Sequence, residues 1–240
     1  MGEGLWLRAE RQTAGRGRQG RDWVSPVGNL YASTLVRLRA SDPAAATLAF
    51  VAAVALEETV SVHLSPSPIA GFAVSPSPNW EREGARPAQP GGKGEGGLRL
   101  KWPNDLLVNG AKISGILLER SGDAVVIGIG VNLAHHPYLS DRPTTCLADH
   151  GASVEPHAFL ETLAEAFERW LGLWRGEGLA PVRQRWLERA HPVGAALTAR
   201  LPDGGVVDGL FDGLDTNGAL ILRLASGERR VIHAGDVFLL

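Results

Sequence analysis

The sequence predicts an α+β chain, a mixed β-sheet with helices packed on it, followed by a small C-terminal β-barrel. Three observations carry that expectation. Residues 5–9, 29–38 and 112–133 are rich in β-forming residues and read as strands. Apolar residues recur at helical spacing through 155–174. From Pro192 onward the pattern changes to short strands separated by hairpin turn signals.

Taken in order, strand 5–9 leads into a glycine-arginine loop, and 29–38 is the second strand. Residues 43–56 are apolar and alanine-rich and run into Glu57-Glu58. At roughly 14 residues they fall short of the ~20 a membrane span needs. They read as a buried helix with Asp42 as N-cap and Pro43 in its first position. Residues 65–97 hold Ser65-Pro66-Ser67-Pro68, Ser75-Pro76-Ser77-Pro78 and a glycine-rich run from Gly91 to Gly97. Such composition cannot bury enough apolar surface to fold alone, so a disordered loop insertion with no chemistry of its own is expected.

Further on, Phe159, Leu160, Leu163, Phe167, Trp170, Leu171 and Trp174 form one face of an amphipathic helix over 155–174, read as core. A shorter helix over 180–189 turns Trp186 and Leu187 inward. Asp203-Gly204-Gly205, Asp215-Thr216-Asn217-Gly218 and Ser226-Gly227-Glu228 then mark the turns of the expected barrel. The division is a main domain over 1–190 and a barrel over 191–240.

The 240 residues can bury one sizeable core plus a small appendage. A net charge of -2 argues against general nucleic-acid binding, because the basic residues are local. A small anionic ligand fits better. The single cysteine, Cys146, permits no intramolecular disulfide and reads as a small buried hydrophobe in a reducing compartment. His135 and His136 are adjacent rather than spaced for a metal and read as a solvated turn. The sequence carries no targeting signal, and the expectation is a soluble, cytoplasmic protein with no membrane partner.

The chemistry concentrates in three blocks. In Gln12-Thr13-Ala14-Gly15-Arg16-Gly17-Arg18-Gln19-Gly20-Arg21-Asp22-Trp23, glycines let the backbone approach a ligand and three arginines supply forks that match phosphate. Arginine-glycine runs are often disordered tails, but this one sits between the apolar runs 4–9 and 30–38, where a folded domain holds a binding loop. The second block is Lys101-Trp102-Pro103-Asn104-Asp105, followed by Lys112-Ile113-Ser114-Gly115-Ile116-Leu117-Leu118-Glu119. The third is Val125-Val126-Ile127-Gly128-Ile129-Gly130-Val131-Asn132-Leu133.

In this order and wording the blocks resemble the catalytic domain of the biotin protein ligases, from about Gly4 to the C-terminus with one interruption. That resemblance implies two steps: biotin attacks the α-phosphorus of ATP to give biotinyl-adenylate, and a lysine of a biotin carboxyl carrier protein then takes the biotin. It implies ATP and biotin as substrates, with Mg2+. Lys112, Arg18 and Asp105 become the catalytic candidates, Lys112 on the biotin carboxylate and the α-phosphate and Arg18 over the acyl-phosphate. For biotin it implies Gln12 at the ureido ring, with Gly15, Arg16 and Gly17 around it. Tyr31, Ser33, Gly115 and Leu117 would form the pocket wall. For Tyr31 and Leu117, plain core packing stays equally open.

For ATP the same resemblance implies Arg21 and Trp23 on phosphate and adenine, Lys101 and Asn104 near the phosphates, Gly130 beside them, and Asn132 at the adenine edge. Asp105 would orient the carrier lysine or help hold magnesium, and Trp102 and Pro103 read as structural. Family members usually carry a Ser-Thr-Asn motif ahead of the loop. Here the chain starts too late to include it, so either the start is truncated or the pocket lacks one wall. The DNA-binding helix-turn-helix of the bifunctional members is also missing, so no DNA partner is expected, and a homodimer stays open. Two other functions compete: a non-catalytic biotin or biotinyl-adenylate binding protein, and a lipoate ligase.

Overall fold

The computed structural model describes residues 2–64 and 97–239. Apart from Gly97, the insertion expected at 65–97 lies outside them. Six strands form the first sheet: β1 (Trp6–Ala9), β2 (Leu30–Arg37), β3 (Leu98–Lys101), β4 (Asp105–Val108), β5 (Ala111–Ser121) and β6 (Ala124–Val131), in the order β1-β2-β6-β5-β4-β3. Every neighbouring pair is antiparallel, which corrects the expected mixed sheet. Among the described residues, parallel pairing is confined to the isolated bridges Leu100↔Ala190 and Lys112↔Thr144.

Three helices, α1 (Leu48–Leu64), α2 (Pro156–Glu177) and α3 (Leu179–Arg189), cover one face of this sheet. α1 lies against β3, β4 and β5, and α2 and α3 close over it. Residues 50–56 of α1 are all buried, so its apolar, alanine-rich composition faces protein on every side. By length and composition alone, Ala45–Leu64 could cross a membrane, at mean hydropathy 1.6, yet 67% of its most apolar window is buried inside the protein.

The start of α1 differs from the expectation. A 3-10 turn over Ala45–Thr47 precedes it, and Asp42 caps nothing. The Asp42 carboxylate instead accepts the Arg39 N–H at 3.0 Å and lies 3.5 Å from Arg175. Thr47 fixes the entry: its hydroxyl donates to Ala44 O at 2.6 Å and accepts the Trp174 indole N–H at 2.8 Å. A tertiary hydrogen bond thus outweighs the local cap signal. On α2, Phe159, Leu160, Leu163, Phe167 and Trp174 are buried as the spacing predicts. Phe167 meets Trp6 of β1 edge to face at 5.5 Å, and Trp186 of α3 meets Phe50 of α1 likewise at 5.6 Å.

The C-terminal strands are β7 (Ala196–Arg200), β8 (Val206–Leu214), β9 (Leu220–Arg223), β10 (Arg229–Ile232) and β11 (Asp236–Leu239), in the order β10-β9-β8-β7-β11. The expected turns are present, with Gly204, Gly218 and Gly227 at φ of 86°, 87° and 85°. The expected barrel, however, is an open sheet. β10 and β11 follow one another directly but do not pair, because β11 takes the free edge of β7 instead. Turn signals count strands; closure requires matched stagger and tilt, which they do not encode.

The two sheets are tied together through the second motif block. The Trp102 indole N–H donates to Gly218 O at 3.1 Å, and Gly218 packs so closely on Phe50 that a Cβ there would lie 2.4 Å from the ring. Trp186 is 1% exposed at the same junction. Trp186→Ala should therefore lower stability by about 3–5 kcal/mol, the usual cost of emptying a buried tryptophan site. In a urea titration the midpoint should fall with the slope retained. An unmoved midpoint would show that α3 does not share the core of α1.

Candidate active site

The glycine-arginine loop closes on itself before it meets the sheet. The Gly17 N–H donates to Arg21 O at 2.7 Å and the Trp23 N–H to Gly15 O at 3.0 Å, with Arg18–Gly20 as a short 3-10 turn. Gly15 is fixed by this closure, since a Cβ there would stand 2.5 Å from Trp23 O. The loop then lays the Trp23 indole on the sheet, over Gly115 of β5 and Gly130 of β6, which are register partners. A Cβ on Gly130 would come 2.7 Å from the indole. Trp23 Nε1 is buried without a hydrogen-bond partner.

Between the loop, the uncovered face of the sheet and β11 lies a cavity of about 410 Å3. It gathers the three motif blocks. The loop contributes Gln12, Arg16, Gly17, Arg18, Arg21 and Trp23, and β2 contributes Tyr31 and Ser33. Lys101, Asn104 and Asp105 come from the β3–β4 turn and its flanks, Lys112, Gly115 and Leu117 from β5, and Gly130 and Asn132 from the end of β6. Gly15 is the exception: it does not line the cavity, and its part is to close the loop behind it.

Asp105 is the electrostatic centre. Its side chain is 6% exposed, with Lys112 Nζ at 2.5 Å from one oxygen and Lys101 Nζ at 3.0 Å from the other. Arg142 stands 3.9 Å away. Burial alone would raise the Asp105 pKa, but the Lys112 and Lys101 ammonium groups overcome it and hold the carboxyl below its ordinary 3.8. Burial pulls the Lys112 ammonium below its ordinary range, and Asp105 offsets part of that. The backbone of Lys112 is pinned as well, its N–H to Pro143 O at 2.9 Å and its carbonyl to the Thr145 N–H at 3.0 Å. Its Nζ lies 5.5 Å from the centre of the Trp23 ring.

Several expected ligand groups already hold protein partners. The Tyr31 hydroxyl donates to Pro26 O at 2.8 Å, Asn104 Nδ2 to Ile116 O at 2.5 Å, and the buried Asn132 Nδ2 to Thr145 O at 3.0 Å. Gln12 Oε1 accepts from the Ser25 hydroxyl at 3.0 Å. Tyr31 is buried and Leu117 half-buried, and both line the cavity. Trp102 and Pro103 line it too, although the Trp102 indole is committed to Gly218.

Sequence reasoning missed the residues that tertiary folding brings in. Arg142, in a loop after β6, has a side chain only 14% exposed and pairs with Asp141 at 2.7 Å. That hydrogen bond raises its pKa further. Asp236, at the start of β11, takes an ion pair from Arg21 and lies 3.4 Å from Arg18, whose guanidinium also donates to Gly235 O at 3.2 Å. Neither residue sits in a periodic or motif context. Cys146 is buried with its thiol pKa raised by burial, as suits a packing residue.

Chemically, the cavity can receive an anion at its buried lysine end, beside carboxylates that pair with the cations. Lys101, Lys112, Arg18, Arg21 and Arg142 converge on it, while its apolar wall leaves room for a ring system. The donor set does not fit a protein-held magnesium ion. Both Asp105 oxygens already face ammonium groups, and the described residues contain no cluster of three or more histidine, cysteine or acidic side chains able to hold a metal.

Residues 4–132 match the model of the biotin/lipoate A/B protein ligase family, and residues 196–240 that of the biotin protein ligase C-terminal domain. The chain is 40% identical to a biotin–[acetyl-CoA-carboxylase] ligase of Paracoccus denitrificans, over 97% of this chain and 89% of the relative. It is 30% identical to the enzyme of the same name from Mycobacterium tuberculosis, over 98% and 79%. In fold it resembles a biotin protein ligase from Aquifex aeolicus in complex with biotin and ATP, with a TM-score of 0.78 at 22% identity, covering 100% of this chain and 91% of that one.

A buried carboxylate under two ammonium groups has a definite pH signature. The lowered Asp105 pKa contributes stability that is complete above the ordinary 3.8 and is lost as pH falls through the lower folded value. Asp105→Asn leaves Lys101 and Lys112 without their counter-ion and should cost about 3–5 kcal/mol at neutral pH. Denaturant unfolding from pH 7 down to pH 2 should show the gap between the two proteins narrowing below 3.8. A gap constant with pH would mean that Asp105 is not ionised in the folded state.

Proposed function

The chain belongs to the biotin/lipoate A/B protein ligase family, and we propose on that premise that it works as a biotin–[acetyl-CoA-carboxylase] ligase. It activates biotin with ATP to biotinyl-5′-AMP and transfers the biotinyl group to a lysine of biotin carboxyl carrier protein. The observation that carries this reading is the convergence of the three motif blocks on one cavity, around a buried aspartate that holds two lysines.

The first step brings two anions together. Lys112, fixed at its backbone and by Asp105, is the cation assigned to the biotin carboxylate and the α-phosphate. Charge that builds on the phosphoryl group meets preformed cations rather than water that must reorganise. Asp105 acts as a positioning residue, keeping Lys101 and Lys112 on the cavity side of the sheet. Arg18 covers the acyl-phosphate, with Arg16 and Gly17 beside biotin and Gln12 at its ureido ring. Tyr31, Ser33, Gly115 and Leu117 form the wall along the biotin chain.

Arg21, Trp23, Lys101, Asn104, Gly130 and Asn132 serve the nucleotide. The Trp23 indole now occupies the space over Gly115 and Gly130, so a ligand ring that reaches either glycine displaces it, and the freed indole is available to stack on adenine. Magnesium that the family implies would travel with the nucleotide, because Asp105 is engaged by lysines. In the second step the carrier lysine attacks the mixed anhydride and AMP leaves. The 1–190 body holds the chemistry and the 191–240 sheet closes one side of it through β11.

Lys112→Ala should reduce pyrophosphate release with biotin and ATP to near background, because a cation between two desolvated anions supplies several kcal/mol of transition-state stabilisation, roughly 3 or more. A coupled pyrophosphate assay, with biotin transfer to a carrier domain followed by mass spectrometry, reads both steps. Release at the unsubstituted rate would refute the proposed role of Lys112.

A further inference from the structure

A second cavity, of about 380 Å3, opens beside the first at the seam with the C-terminal sheet. Arg21, Asp141, Arg142 and Asp236 line both, so the two adjoin. The outer wall adds Arg200, the last residue of β7, and Phe238 of β11. The Phe238 ring has three cations around it: Arg200 at 4.5 Å from its centre, Arg142 at 5.6 Å and Lys101 at 5.9 Å. Each contact is favourable singly, but three like charges around one ring repel one another.

The carboxylates nearby are already committed. Asp105 holds Lys101 and Lys112, Asp141 holds Arg142, and Asp236 holds Arg18 and Arg21. Asp236 is the cross-strand partner of Arg200 in the β7–β11 register, yet its carboxylate goes to the loop arginines instead. Arg200 is exposed and, among the described residues, has the Phe238 ring and no carboxylate as its partner. Positive charge is left over where the second cavity adjoins the first.

We propose that this second cavity seats the pyrophosphate that leaves in the adenylation step, with Arg200 as its binding fork and Arg142, whose Nε and Nη2 already hold Asp141, adding positive charge beside it. This rests on the ligase reading. In that step a biotin carboxylate oxygen bonds to the α-phosphorus while the bridging bond to the β-phosphate breaks, and the electron pair departs with pyrophosphate. The leaving anion carries several charges and must be drawn away from Lys112, or it attacks the new anhydride in reverse. The planar guanidinium of Arg200, resting on the Phe238 ring with no carboxylate partner among the described residues, matches a diphosphate better than a lysine does.

The test titrates inorganic pyrophosphate, and separately inorganic phosphate, into the full chain and its R200Q and R200K variants by calorimetry. Arg200 is exposed, so neither change threatens folding. R200Q should weaken pyrophosphate binding about tenfold, R200K should recover part of it, and single phosphate should bind more weakly than pyrophosphate throughout. The R200Q loss in the ATP-dependent step should exceed its loss in transfer from synthetic biotinyl-5′-AMP by about fivefold or more. Equal pyrophosphate affinity in R200Q and the unsubstituted chain overturns the proposal, as does an unsubstituted chain that binds none. An unsubstituted chain that binds pyrophosphate but forms no adenylate would instead overturn the ligase reading, so the two failures are distinguishable.

Discussion

The grip of Lys101 and Lys112 on the buried carboxylate of Asp105 organises the site. Asp105 opens β4, Lys101 closes β3, and Lys112 comes from β5, so one carboxylate ties together three neighbouring strands. Replacing Asp105 leaves two buried ammonium groups without their counter-ion, which is far costlier than losing a surface pair. The same arrangement defines what the cavity can bind. Asp105 offsets one of the two lysine charges, so an arriving anion meets net positive charge already in place.

Around this centre the fold is asymmetric. One face of the antiparallel sheet is sealed by α1, α2 and α3, and the other carries the loop, the cavity and the contacts to β11. Glycine is required at 130 on that second face because the indole of Trp23 rests there with no room for a methyl group, whereas a Cβ at 115 would press on the Lys112 ammonium at 3.2 Å and on the indole at 3.3 Å. The C-terminal sheet is therefore part of the site. Asp236 holds the loop arginines, and Phe238 adjoins Lys101 and Arg142.

Much of this was legible in the sequence, for physical reasons that also explain what was not. The glycine-arginine loop, Lys101 to Asp105 and Lys112 with its strand carry their chemistry in short local patterns, and folding brings them to one cavity. Gly15 was misplaced because a glycine needed for loop closure looks the same in sequence as one needed for ligand approach. The α1 start was misread from Asp42 and Pro43, strong local signals that the Thr47–Trp174 hydrogen bond overrides. Arg142, Arg200, Asp236 and Phe238 gave no signal, since each reaches the site only through long-range packing. Barrel closure failed for a related reason: strand count is local, whereas which edge β11 joins is decided by the whole sheet.

The composition of α1 has a consequence for how the chain is made. This helix is apolar on nearly every side, and the helices that cover it begin only at Pro156. A ribosome adding roughly 5–20 residues per second takes on the order of 5–20 s to go from Leu64 to Pro156. Through that interval nascent α1 has no partner for its outer surface, and the strands that form its floor are themselves still emerging. The most hydrophobic helix of the finished enzyme is thus the most vulnerable helix of the growing one, and chaperone capture during synthesis should centre on it.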